Sequence, residues 1–87
     1  MIFLDQLVKK DKRYSLGIEK TSNKKYLSIP VANSFVDYEE YYEITSEQFD
    51  AFHTNINEAT VFADQCRKHI MDNLLIVRPG INRGVAI

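Results

Sequence analysis

The sequence predicts an α+β fold, with a small antiparallel sheet of about four strands and two helices packed on one face, forming a single domain over residues 1–87. Three observations predict it. Apolar and polar residues alternate in three stretches between Tyr14 and Ile44, the two-residue period of half-buried strands. Two helix-opening signals follow, Thr45-Ser46-Glu47-Gln48 and then Asn55. A continuous apolar run, Leu74–Val77, closes the order. Strands in succession and then helices favour an antiparallel sheet with the helices on one side. A length of 87 residues suits one domain, and an apolar fraction of 45% beside 26% charged suits a packed core rather than a disordered chain.

The first element is left open. Phe3, Leu4, Leu7 and Val8 would share one face of a short helix with Lys9 and Lys10 at its C-terminus, and a strand fits nearly as well. Tyr14, Leu16 and Ile18 then alternate with Ser15, Gly17 and Glu19, and Leu27, Ile29 and Val31 with Tyr26, Ser28 and Pro30. The polar run Thr21-Ser22-Asn23-Lys24 between them makes the pair a β-hairpin. Pro30 has no N–H to donate, which suggests an edge position or a bulge at the end of the second strand. Asn33-Ser34 marks the next turn, and Val36–Ile44 is a third strand. Val36, Tyr38, Tyr42 and Ile44 go to the core, with Glu40 near its margin, and Asp37, Glu39, Tyr41 and Glu43 line the other face.

Thr45-Ser46-Glu47-Gln48 fits a capping box that opens a helix with Phe49 and Phe52 on its apolar side. Asn55 caps a longer helix, on which Ala59, Phe62, Ala63, Cys66 and Ile70 follow helical spacing while Asp64, Arg67 and Lys68 point outward. Leu74–Val77 is expected to be a buried strand, and Pro79-Gly80 a turn. Ile81–Ile87 is a tail that either adds a last strand or does not.

The net charge of −1 conceals an uneven arrangement. Tyr26–Cys66 holds eight acids and no lysine or arginine, whereas the flanks are basic, with seven cations against three acids before it and four against one after it. Several function classes fit poorly. The chain has one cysteine, Cys66, so no internal disulfide forms. The apolar start Ile2-Phe3-Leu4 is short and precedes its basic residues, the wrong order for a signal peptide, and no run approaches a membrane span. A cytoplasmic protein is expected.

Cys66 and His69 are spaced for two metal ligands on a helix, but a zinc site needs three or four and only His53 remains to join them. Cys66 sits on the apolar stripe, where a thiol acts as a small hydrophobe rather than a nucleophile. Pro79-Gly80-Ile81-Asn82-Arg83-Gly84 lacks the lysine and hydroxyl residue of a phosphate loop. Arg78 and Arg83 are left to contact a partner or to pair with the acidic strand. Nucleic acid would be repelled, because Tyr38, Tyr41 and Tyr42 lie among acids. Lys9, Lys10, Lys12 and Arg13 form the basic patch, read as a solvated helix end. No catalytic residue, metal or cofactor is expected.

The acidic, tyrosine-rich strand stands out. Tyrosine gives large contact area at low entropic cost, and clustered carboxylates steer a cationic partner. The expected partner-binding residues are Asp37, Glu39, Tyr41 and Glu43, with Glu40 and Glu47 at the margin, and the expected partner is a basic protein. Tyr26–Val31, Val36–Ile44 and Asp72–Gly84, within a likeness spanning roughly Tyr14 to Ile87, resemble immunity proteins of contact-dependent growth-inhibition and related polymorphic toxin systems. That resemblance implies a non-enzymatic cytoplasmic protein that binds and neutralises one bacterial toxin domain, often a nuclease. The alternative is a self-associating structural or adaptor module that pairs through its sheet edges as a homo-oligomer. A small hydrolase or metal protein ranks third.

Overall fold

The computed structural model describes residues 1–87 and has the expected α+β architecture. Strands β1 (Phe3–Lys9), β2 (Tyr14–Glu19), β3 (Lys24–Ala32) and β4 (Asp37–Ile44) form an antiparallel sheet in sequence order. Helices α1 (Ser46–Thr54) and α2 (Ile56–Arg67) follow. A short strand, β5 (Val85–Ala86), pairs with the far end of β3 through Val31↔Ala86 and Ala32↔Val85. The core lies between one sheet face and the helices. Leu16, Leu27, Ile29, Val31, Tyr42 and Ile44 meet Phe49, Phe52, Ala59, Phe62, Ala63 and Cys66.

The open first element is a strand. Its apolar residues do not alternate by two, and a bulge between Asp5 and Leu7 explains why a strand tolerates them. Before the bulge Leu4 faces the helices beside Ile18, and after it Leu7 does so beside Leu16. Phe3, Asp5 and Val8 therefore fall on the opposite face. The spacing that mimics a helical stripe is that of a two-faced strand with one residue added.

Glu19 organises the β2–β3 turn. Its buried carboxylate accepts from the Ile2, Thr21 and Ser22 N–H groups at 2.8, 3.0 and 2.9 Å, and from the hydroxyls of Thr21 and Ser22, each at 2.7 Å. Asn23 closes the turn at φ 59°, a left-handed position that asparagine tolerates. Pro30 lies inside β3, opposite Glu39 and two residues past Ser28, where the ladder to β2 ends. Its carbonyl accepts from Ile87 N–H at 3.1 Å, on the edge that β2 leaves and the short C-terminal strand takes, so its missing N–H costs no bond to β2.

Both helix starts match their signals. Thr45 Oγ1 accepts from Gln48 N–H, Gln48 Oε1 accepts from Thr45 N–H, and Asn55 Oδ1 accepts from Glu58 N–H. The end of α2 differs from expectation, because Ile70 is outside it and mostly exposed. His69 takes φ 63°, its N–H reaches the Cys66 carbonyl, and Ile70 N–H reaches Gln65. These are the paired bonds of a Schellman end, which turns the chain away after Lys68.

The expected strand Leu74–Val77 is also corrected. Asp72–Leu74 is a 3₁₀ turn, Leu75 makes a single bridge to Tyr42, and Ile76 N–H bonds the Tyr41 carbonyl at 2.9 Å. The chain crosses the outer edge of β4 instead of running along it, and Val77 is already half exposed. No helix is long and apolar enough to cross a membrane.

Candidate functional site

Alternation along β4 places most of the expected residues on the faces assigned to them, but Val36, expected in the core, precedes the strand and is 56% exposed. Tyr38, Tyr42 and Ile44 turn to the helices, and Asp37, Glu39, Tyr41 and Glu43 turn away. The second face is less open than its carboxylates suggest, because β1 carries Phe3 and Asp5 onto it. In a flat sheet β1 and β4 would stand roughly 14 Å apart, three strand spacings. Yet the Phe3 and Tyr41 rings stack with centroids 3.7 Å apart and an interplanar angle of 11°. Tyr26 meets both edge-on, at 5.5 and 4.9 Å. The face closes into a second apolar cluster, under which Tyr26 and Ser28 are fully buried.

Gly17 makes this closure fit. A Cβ there would collide with the Leu4 carbonyl and the Tyr26 ring. Tyr26 donates to Asp5 Oδ1 at 2.6 Å, and burial together with that carboxylate holds its hydroxyl protonated. Tyr41 is thus a half-buried ring wedged against Phe3. Burial raises its hydroxyl pKa as well, with Glu39 and Asp5 adding to the effect.

The carboxylates separate into three environments. Asp37 and Glu47 are exposed, and Glu43 is exposed with Lys24 Nζ at 3.8 Å. Glu39 is half-buried, accepts from Ser28 Oγ at 2.9 Å, and is pushed above the usual carboxylate range by burial and by Asp5, against the opposing effect of Ser28. Glu40 corrects the expectation. It is not at the margin of the docking face but 6% exposed on the helix side. Arg83 donates to it through Nε at 2.7 Å and a terminal nitrogen at 3.1 Å, and Tyr42 adds its hydroxyl at 2.9 Å. A carboxylate facing the core survives there only with such partners, so Glu40 is not available to a partner.

Arg83 also forks onto Asp72, at 2.8 and 2.9 Å. It ties the C-terminal segment both to β4 and to the 3₁₀ turn. Gly84 follows, with its N–H donating to the Tyr38 hydroxyl at 2.6 Å and its α-carbon too close to Ala32 for a side chain. Of the two arginines left open, Arg83 is the one that pairs with the acidic strand.

Other chemistry is sparse. Cys66 is fully buried, and burial pushes its thiol up to about 12 despite the nearby Arg67 charge, so it carries no thiolate at neutral pH. His53 Nδ1 lies 2.7 Å from the Phe49 carbonyl, and no group of three or more His, Cys, Asp or Glu side chains converges.

The expected basic patch is displaced. Lys9 ends β1, and Lys10 and Arg13 stand in the hairpin loop that leads to β2, on a strand rather than at a helix end. With Val8, Tyr14, Ser15, Pro30 and Glu39 they line a cleft of about 300 Å³. Sequence reasoning missed this cleft, and the closure of the face by Phe3, because it did not fix β1. Gly17 was the available signal, as a small residue inside a strand marks a site where another group approaches closely. Compared with protein-family models, with curated proteins and with solved structures, the chain matches none.

Proposed function

We propose that the protein is a non-enzymatic immunity protein that binds and neutralises one cognate bacterial toxin domain, a nuclease, in the cytoplasm. The observation that supports this reading is the setting of Tyr41. Its ring is stacked on Phe3 and crossed by Tyr26, and it is flanked along β4 by Glu39 and Glu43, with Asp37 beyond. An aromatic anchor held in place before binding loses little entropy when it docks. Carboxylates beside it would attract the cationic surface with which a nuclease holds phosphodiesters. Asp37, Glu39, Tyr41 and Glu43 form the proposed docking face, with Glu47 at its margin. Glu40 serves the fold instead.

The test is co-expression and binding with the toxin domain encoded beside this protein. Asp37→Lys with Glu43→Lys alters two exposed side chains and, with only the exposed Glu43–Lys24 pair lost, should lower the thermal midpoint little. It should slow association by about tenfold at low salt, with the effect shrinking as salt is added. Tyr41→Ala should speed dissociation. If both variants bind and protect like the parent, the docking face lies elsewhere. If the parent neither binds nor protects, the immunity reading fails.

One observation favours the alternative of self-association. The outer edge of β1 has no strand partner, and Ile2, Leu4 and Val8 are 52%, 48% and 52% exposed beside it. Sedimentation over a concentration series separates the two, since a monomer throughout removes the self-associating module.

A further inference from the structure

The cleft beside Glu39 has a composition that a protein-docking face does not need. Its floor runs across all four main strands on the side away from the helices, through Val8, Ser15, Pro30 and Glu39. Its wall is the β1–β2 hairpin, with Lys9, Lys10 and Arg13. Lys9 alternates with Val8 toward the helix side, so two cations, Lys10 and Arg13, share this cleft with one carboxylate. The four ion pairs of the molecule use Lys24, Arg67 and Arg83 and leave these two cations unpaired. Glu39 is engaged through one oxygen only, by Ser28.

The wall is also braced. The Arg67 guanidinium, on α2, donates to the carbonyls of Lys12 and Arg13 at 2.9 and 2.7 Å, which fixes the loop against the body of the protein. Arg13 itself is held at φ 57°, in the left-handed region where glycine or asparagine is ordinary. The fold alone would be served better by glycine there. A strained backbone that carries an unpaired guanidinium into a cleft suggests that the side chain has a use.

We infer that this cleft binds a small phosphomonoester with a neighbouring hydroxyl group, Lys10 and Arg13 holding the phosphate and Glu39 accepting from the hydroxyl. A doubly charged oxyanion matches the two cations, and arginine and lysine donors to phosphate are the stronger, charge-assisted kind of hydrogen bond. The free oxygen of Glu39 repels a bare anion but accepts from a hydroxyl set beside one, which selects a phosphorylated sugar or polyol over phosphate alone. The volume of about 300 Å³ lies at the lower end of ligand pockets, which run from roughly 300 to 1,000 Å³. The inference shares Glu39 with the proposed docking face but does not rest on the immunity reading.

The test is an amide chemical-shift titration of the whole protein with glycerol 3-phosphate, inorganic phosphate and glycerol. Saturable shifts are expected over Val8–Ser15, Pro30 and Glu39, with glycerol 3-phosphate binding more tightly than phosphate and glycerol not binding. Arg13→Gly relieves the left-handed strain, so it should fold at least as stably as the parent. It should nevertheless weaken glycerol 3-phosphate binding by about tenfold or more, the loss of a charge-assisted contact. Glu39→Gln should erase most of the preference for glycerol 3-phosphate over phosphate. No saturation at millimolar ligand overturns the proposal, as do equal shifts around Lys20, Lys24 and Lys25, or an Arg13→Gly variant that binds like the parent.

Discussion

Glu19 and His69 show how single residues set local stability here, with opposite signs. The Glu19 carboxylate receives hydrogen bonds from Ser22, Thr21 and Ile2, which hold its pKa far below the ordinary value near 4.5. A group whose folded pKa is depressed contributes stability above its unfolded pKa and loses it as pH falls toward the folded one. Glu19→Gln should therefore lower the thermal midpoint at neutral pH. The gap between variant and parent should narrow as pH drops from about 5 toward 2, which thermal melts across that range would check. His69 works the other way. It occupies the left-handed cap of α2 with a β-carbon that the conformation disfavours. His69→Gly should stabilise the protein by about 1 kcal/mol in urea unfolding, provided that the Schellman bonds persist.

At the level of elements, what could be read from the sequence depended on how local the deciding interactions are. β2, β3, β4 and both helix starts were legible because alternation, turn residues and caps act within a few positions. β1 was ambiguous because a bulge changed its period, and a bulge is fixed by the partner strand. Leu74–Val77 was misassigned because the chain path there follows from Arg83, nine residues further on, which holds Asp72 and Glu40 together. That latch is the most consequential tertiary contact of the C-terminal segment. Arg83→Met would leave the Glu40 carboxylate buried and unpaired, at a cost of about 3–5 kcal/mol. A domain of this kind has roughly 5–15 kcal/mol in all. Asp72→Asn, at the more exposed end, should cost about 1 kcal/mol or less. Chemical denaturation of the two variants should show this asymmetry, and equal effects would mean that Glu40 is not the group that needs Arg83.

Across the whole molecule, the charge asymmetry of the sequence becomes a neighbourhood of opposites. The acids of β4 are not a uniform plate. Glu40 turns inward, Glu43 meets Lys24, and Glu39 lines the same cleft as Lys10 and Arg13 of the β1–β2 hairpin. The candidate face was legible as a set of residues. Its closure by Phe3 and its cationic border were not, because both come from strand neighbours far away in sequence. One further feature has practical weight. Val77–Asn82 is exposed throughout or nearly so, with Ile81 standing fully free, and the chain is fastened on either side by the Ile76–Tyr41 backbone bond and the Arg83 latch. Ends held this firmly do not depend on the link between them, and such exposed tips accept inserted sequence readily. A peptide epitope spliced between Gly80 and Ile81 would therefore ride on a folded protein with both flanks still fastened, ready for use as a handle in partner capture.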